Sequence, residues 1–308
     1  MRLRGRDYLS VDDLTPEEFS GLVDFARELK GRYAAGDRPA LLAGKTLAMI
    51  FEKPSLRTRV SFEVGMFQMG GMTVYLGPQD IQLGVREAIP DAARNLERMA
   101  DGIMARTFAH ATVTGLAAAA ACPVINGLSD HEHPCQALGD LLTIAERFPR
   151  LGEVRLAWIG DGNNVCHSLL LAAAKVGMTV TVATPPGYQP AASVVARARE
   201  IAAATGGSVT LTADAREAAT GADVVYTDVW ASMGQEAERE ERARLFRPYQ
   251  VNAGLLAAAR PTAVVMHCLP AHRGEEITDD VLDGPRAIVY DQAENRMHAQ
   301  KALLAMML

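Results

Sequence analysis

The stretch Thr46-Leu-Ala-Met-Ile-Phe-Glu-Lys-Pro-Ser-Leu-Arg-Thr-Arg59 decides how the chain is read. From Thr46 to Phe51 it is an apolar run, the pattern of a strand covered on both faces of a parallel sheet. The run stops at Lys53-Pro54, and from Ser55 onward Val60, Val64, Phe67 and Met69 recur at helical spacing on one side. A strand, a sharp turn and a helix therefore follow one another, with Pro54 or Ser55 at the cap. Free backbone N–H groups and the positive end of the helix dipole then face the turn. Ser55, Arg57, Thr58 and Arg59 put two hydroxyls and two guanidiniums in the first turn and a half. A capped surface helix with incidental basic residues would carry the same letters. Cations crowded at the positive end of a helix repel it unless an anion binds there, and a phosphate fits that place best.

Composition sets the frame for this site. The 308 residues are 49% hydrophobic and 22% charged, and the length suggests two domains, each with its own core. A net charge of −6 argues against a general nucleic-acid binder, so the basic residues at 55–59 form a local site. Cys122, Cys135, Cys166 and Cys268 show no C-x-x-C spacing, and Met1-Arg-Leu-Arg-Gly-Arg-Asp7 has no signal-peptide pattern. A reduced cytoplasmic setting is expected. No apolar run reaches the ~18 residues a membrane span needs, so no membrane association is expected.

Outward from the central stretch, strand and helix patterns alternate. Thr15-Pro-Glu-Glu18 starts a helix running to about Arg32. After the helix at 55–69 come a strand at Met72–Leu76, a loop from Gly77 to Gly84, a helix from Asp91 to Met99 and a short strand ending at Arg106. A helix near 112–121, a strand at 123–125 and the loop from Asn126 to His133 follow, then a helix from Pro134 to Phe148. The second half offers strands at 153–159, 178–183, 208–211, 223–227, 263–267 and 287–290, with a closing helix from Asn295 to Leu308. The expected fold is α/β: two doubly wound parallel-sheet domains joined by bridging helices. The boundaries fall at 1–143 with the returning helix 293–308, and at 144–292.

Ligands of open parallel sheets bind beyond the carboxyl ends of the strands, and here nearly every strand empties into a polar turn. The first half gives 55–59, Gln82, Arg106 and His131-Glu-His-Pro-Cys-Gln136. The second gives Asp161-Gly-Asn-Asn164, Asp228-Val-Trp-Ala-Ser-Met-Gly-Gln-Glu236, His267-Cys-Leu-Pro-Ala-His-Arg-Gly-Glu-Glu276 and Asp291-Gln-Ala-Glu-Asn-Arg296. The first set leans cationic and the second includes acids, which suits an anionic group in one half and an amine in the other. Gly160-x-Gly162 after a strand is half of a dinucleotide fingerprint. Val165 stands at the third glycine position, and the next strand ends at Ala183-Thr184-Pro185 without the acid wanted about 20 residues on. His131 and His133 lack further ligands at metal spacing apart from Cys135, which lies behind a proline, so no metal and no organic cofactor are expected. A thiol nucleophile at Cys268 with His267 or His272 is conceivable, although neighbours on a strand point to opposite faces. Cys122 and Cys166 read as core packing.

Ser55-Leu-Arg-Thr-Arg59, His133-Pro-Cys-Gln136 and the two-domain plan resemble the aspartate/ornithine carbamoyltransferase family, and the resemblance spans essentially the whole chain. Asp228 with Ser232-Met-Gly-Gln-Glu236 and His267-Cys-Leu-Pro270 look like its ornithine-using members; an aspartate substrate would call for cations where Asp228 stands. Leu56, where Thr is common, and His167, where Asn often stands, depart from the pattern. The resemblance implies carbamoyl transfer from carbamoyl phosphate to the δ-amine of L-ornithine, giving citrulline and phosphate, in arginine biosynthesis. It implies that Ser55, the backbone at Leu56, Arg57, Thr58 and Arg296 hold the phosphate. Arg106 would bridge phosphate and carbonyl, and His133 would polarise that carbonyl. Gln136 and the backbone at Cys268–Leu269 would hold the carbamoyl NH2. Gln82 would reach into the site of an adjacent subunit of a homotrimer or a multiple of trimers. Asp228 would pair with the α-ammonium of ornithine, Asn164 and the Ser232–Met233 backbone would hold its carboxylate, and Cys268 would accept or orient the δ-amine proton. The charged segment from Ala231 to about Phe246 looks like a lid; its 237–244 part also reads as a solvated helix. Another amine acceptor, such as putrescine, and a non-catalytic binding protein are the rival readings.

Overall fold

The computed structural model describes residues 3–231 and 236–308. The chain divides into two compact units, Met1–Leu142 with Glu294–Leu308, and Thr143–Ala293. In the first unit the order is α1 (Pro16–Ala34), β1 (Thr46–Phe51), α2 (Leu56–Gln68), β2 (Met72–Leu76), α3 (Pro78–Ile81), α4 (Ile89–Leu96), β3 (Gly102–Arg106), α5 (His110–Ala119), β4 (Val124–Leu128) and α6 (Pro134–Arg147), the last running on into the second unit. The strands form a parallel sheet in the order β2-β1-β3-β4. Central β1 is buried from Leu47 to Phe51, as its continuous apolar run requires. Ala48, Ile50, Ile103, Ala105 and Val124 of the sheet pack with Ala93 of α4 and Val113 and Leu116 of α5.

The second unit continues with β5 (Arg155–Ile159), α7 (Asn164–Lys175), β6 (Thr179–Ala183), α8 (Ala192–Thr205), β7 (Ser208–Thr212), α9 (Ala215–Ala219), β8 (Val224–Thr227), α10 (Arg239–Phe246), α11 (Ala253–Leu256), β9 (Val264–His267), α12 (Asp279–Leu282) and α13 (Val289–Met307). Its parallel sheet has the order β7-β6-β5-β8-β9, with β5 at the switch between the two winding directions. From Glu294 the residues of α13 belong to the first unit. There Lys30 Nζ donates to Asn295 Oδ1 at 2.8 Å, and the Lys301 ammonium lies 3.8 Å from the centre of the Tyr33 ring.

Several expectations from the sequence are corrected. Ala287–Tyr290 is not a strand: Ala287 makes a single bridge to Val265, and α13 begins at Val289. A short apolar run without periodicity fits a buried helix start as well as a strand, and here the helix prevails. The loop at 77–84 contains α3, begun by Pro78. On α2 the covered side is Thr58, Phe62 and Met66, whereas Val60 (48%) and Phe67 (79%) are exposed. The stretch 237–244 is not solvated throughout, because Arg242 is buried.

Gly162, half of the partial fingerprint, owes its place to packing. Its N–H donates to the Tyr188 carbonyl at 2.9 Å, and a Cβ there would collide with the backbone of Gln189 and Pro190. Gly162→Ala is therefore expected to lower stability by about 1–3 kcal/mol. Gly152→Ala, where a Cβ would meet only carbonyl oxygens 3.8 Å away, should stay within about 0.5 kcal/mol. Urea midpoints of the two variants check this; equal midpoints would refute the packing account.

Candidate active site

The turn after β1 carries the candidate site of the first unit. Ser55, not Pro54, caps α2: its backbone is extended and its hydroxyl accepts from the Thr58 N–H at 3.3 Å. Leu56 opens the helix with its side chain exposed, so at this position the backbone N–H is what faces the turn. β3 lies beside β1 in register with Phe51 opposite Arg106, and the Glu52 N–H donates to the Arg106 carbonyl at 2.9 Å. Arg106 thereby reaches the same turn from the end of its own strand, and it is buried. Arg296 arrives from α13, donating through Nη2 to the Thr58 hydroxyl at 2.8 Å. That approach needs Gly139 on α6, because a Cβ there would lie 3.0 Å from the Arg296 side chain and 3.1 Å from its backbone.

His133 caps α6 with its carbonyl, which accepts from the Gln136 N–H at 3.0 Å and the Ala137 N–H at 3.3 Å. Burial and then the charges of Arg296, Arg106, Lys53 and Arg57 hold its imidazole well below the ordinary histidine value. It is thus a neutral ring amid cations, able to donate one hydrogen bond without adding charge. Glu132, also buried, fixes the loop before it by accepting from the Ser10 hydroxyl at 2.5 Å and the Val11 N–H at 3.0 Å. Gln136 donates through Nε2 to Asp140 at 2.8 Å. Lys53 joins this group although the sequence showed it only as the end of the strand. It is buried, sits 4.9 Å from the centre of the Phe108 ring, and burial followed by Arg106 lowers its pKa to about 8. Arg59 points elsewhere, bonding Glu63 at 3.0 Å and lying 3.9 Å over Tyr75. Gln82 sits on an exposed loop at φ 47°, lining a groove with Ile50, Phe51 and Phe108.

In the second unit, Asp228 follows β8 and is buried. Its carboxylate accepts from Asn163 Nδ2 at 2.8 Å and from the Cys268 thiol at 3.0 Å. Asn163 also caps α7, and Asn164 is the first residue of that helix. The sequence reading named Asn164 and Asp228; the hold of Asn163 on Asp228 was not visible in it. His267 and Cys268 take different partners. His267 Nδ1 accepts from the Leu269 N–H at 2.8 Å, so its proton is on Nε2, donated to Glu276 at 2.9 Å. Both residues of this pair are fully buried, and Glu276 further accepts from the His272 N–H at 2.6 Å. Leu269 sits at φ 59°, a left-handed backbone that its bond to His267 helps to hold. Ligand atoms of Asp228, His267 and Cys268 lie within 4.8 Å of one another, but both His267 ring nitrogens are already engaged.

The segment after Asp228 is anchored from α10. Arg242 donates to Asp161 at 3.1 Å and to the Trp230 carbonyl at 3.0 Å, and its guanidinium lies 4.8 Å over the Tyr188 ring. Burial raises the Asp161 pKa to about 6 against the pull of Arg242. His167, a departure from the family pattern, accepts from the Ala191 N–H at 3.0 Å. Ser232 and Met233 lie outside the described residues. No helix among the described residues is long and apolar enough to cross a membrane.

The parallel sheet of the first unit ends at a capped helix start lined by cations, and that of the second ends in a carboxylate–thiol pair. The family model described as "Aspartate/ornithine carbamoyltransferase, carbamoyl-P binding domain" matches residues 6–146, and "Aspartate/ornithine carbamoyltransferase, Asp/Orn binding domain" matches 152–307. The chain belongs to the aspartate/ornithine carbamoyltransferase family. It is 56% identical over 305 residues to the ornithine carbamoyltransferase of Carboxydothermus hydrogenoformans, covering 99% of this chain and 98% of that one. It is 55% identical over 306 residues to "Ornithine carbamoyltransferase, anabolic" of Pyrococcus furiosus, covering 99% and 97%. A solved ornithine carbamoyltransferase structure from Pyrococcus furiosus superposes with a TM-score of 0.97 at 54% identity, covering 100% of this chain and 98% of that one. The second family match includes the closing residues, whereas compactness assigns 294–308 to the first unit, where Arg296 bonds Thr58.

Lys53 gives the anion site a pH signature. Its folded pKa is below that of an unfolded lysine, so over about pH 8 to 10.5 the unfolded chain holds more protons. The contribution of this group to the stability of the ligand-free protein therefore rises with pH across that window. A bound phosphate favours the protonated ammonium, so phosphate affinity should fall above about pH 8, by at most about tenfold per unit. Calorimetric titration with inorganic phosphate between pH 7 and 9.5 reads this. Lys53→Met should bind more weakly and lose the slope; an unchanged slope would assign it to another group.

Proposed function

We propose that this chain transfers the carbamoyl group of carbamoyl phosphate to the δ-amine of L-ornithine, giving L-citrulline and phosphate, a step of arginine biosynthesis. The observation that carries the reading is the gathering of Lys53, Arg57, Arg106 and Arg296 around a neutral His133 at the capped start of α2. Such a cluster demands a multiply charged anion, and carbamoyl phosphate is one. The curated relatives and solved structures named for ornithine support the acceptor, as does Asp228, an acid where an amino-acid ammonium needs a partner.

Residue roles follow from chemistry. Ser55, Leu56 through its N–H, Arg57, Thr58 and Arg296 hold the phosphate. Arg106 spans phosphate and carbonyl, and His133 donates to the carbonyl oxygen as it becomes an oxyanion. In the second unit Asp228 takes the α-ammonium, and Asn164 takes the carboxylate. Ser232, Met233 and Leu269 stay with the roles the family resemblance gives them. The neutral δ-amine attacks the carbonyl carbon, the bond from that carbon to the phosphate oxygen breaks, and phosphate leaves with the electron pair. The amine proton passes to the departing phosphate, with Cys268, steadied on Asp228, orienting the nitrogen.

The exposed Leu56, Val60 and Phe67 on α2, beside Met72 and Val74 on edge strand β2, support self-association. We assign it to a homotrimer or a multiple of trimers, with Gln82 serving a neighbouring copy. We place the protein in the cytoplasm, a setting that suits four cysteines not joined in disulfides. Phe67→Glu should shift the protein to monomers in light scattering, and an unchanged mass would remove α2 from the interface.

The reading is tested by citrulline formation from carbamoyl phosphate and L-ornithine. Wild type should turn over without added metal, and Arg57→Gly should lose about 10²–10³ in kcat. Ornithine should be strongly preferred over putrescine. A protein that bound carbamoyl phosphate but left ornithine unchanged would overturn the acceptor assignment.

A further inference from the structure

Gln136 and Asp140 lie one turn apart on α6, both buried, with Gln136 Nε2 donating to Asp140 Oδ1 at 2.8 Å. Asp140 Oδ1 is the acceptor of this bond, so Asp140 sets which end of the Gln136 amide faces it. The NH2 is drawn to Asp140, and Oε1 is turned away from it. That Oε1 is buried and has no hydrogen-bond donor among the described residues. A buried amide oxygen without a donor is costly and marks a place reserved for one. The residue sits in the first turn of α6, whose cap is His133, so the open acceptor belongs to the same cluster as the carbonyl-polarising imidazole.

We infer that Asp140 is a positioning residue that sets the choice of acyl group, by fixing Gln136 with its oxygen toward the NH2 of the carbamoyl group. This rests on the carbamoyl-phosphate reading of the site. A carbamoyl NH2 supplies the missing donor. An acetyl group of the same shape offers a methyl there and leaves Oε1 unpaired, so acetyl phosphate is disfavoured although its phosphate is held equally well. Without Asp140 the amide is free to turn over, and its NH2 would then confront the NH2 of the substrate.

The test measures KM for carbamoyl phosphate together with inhibition constants for acetyl phosphate and inorganic phosphate. In Asp140→Asn and in the smaller Asp140→Ser, KM should rise about 10- to 100-fold while both inhibition constants stay within about threefold. Gln136→Met should give a similar loss, and the double variant Gln136→Met with Asp140→Asn no further one, as expected for two residues acting as a unit. Parallel weakening of all three ligands in both Asp140 variants would reduce Asp140 to a structural residue. An unchanged ratio of carbamoyl phosphate to acetyl phosphate would overturn the inference while wild-type turnover stood. Failure of the wild type to use carbamoyl phosphate would remove the underlying reading and this inference with it.

Discussion

Repulsion among Lys53, Arg57, Arg106 and Arg296, held around one buried histidine, is the constraint on which the first unit depends. Like charges at such density destabilise a folded chain unless burial elsewhere compensates and an anion arrives. Their arrangement is therefore built on rigid parts. Arg106 ends a central strand, Arg57 lies in the first turn of a capped helix, and Lys53 lies over Phe108. Arg296 is brought back by α13, which closes on α6 at Gly139, where a side chain would push it away. His133 answers the same field by staying neutral.

The second unit solves a different problem. Its site is organised by acids: Asp228 gathers Asn163 and Cys268, while Glu276 gathers His267 and the backbone of His272. The His267–Glu276 pair is fully buried, and its contribution is geometric. Through Nδ1 it holds the Leu269 N–H and the left-handed backbone there, next to Cys268, whose thiol donates to Asp228.

What the sequence disclosed and what it withheld divide along one physical line. Chain order, most strand positions and a cap at Pro54 or Ser55 were legible because they rest on local periodicity and turn chemistry. The polar strand ends were legible because an open parallel sheet puts ligand groups at its carboxyl edge. Missed features depend on what lies across from a residue. Lys53 is written in the central stretch, but its burial depends on Phe108 and Arg106. Val60 and Phe67 share a helix side, but only the fold shows that the covered side is that of Phe62 and Met66. Ala287–Tyr290 is apolar enough for a strand and becomes a bridge and a helix start. Arg242, in a charged stretch, is drawn inward by Asp161 and Tyr188.

A common logic links the two units. Four of the side chains assigned to substrate are themselves held by another side chain: Thr58 by Arg296, Gln136 by Asp140, Cys268 by Asp228 and Asp228 by Asn163. A reaction of this kind gains most from fixed dipoles and charges aimed at an oxyanion and a leaving phosphate. Loose groups would have to reorganise as charge develops, and that reorganisation would raise the barrier. Groups that hold a neighbouring donor or acceptor, such as Asp140 on Gln136 and Asn163 on Asp228, therefore bear on the rate by keeping it from turning over.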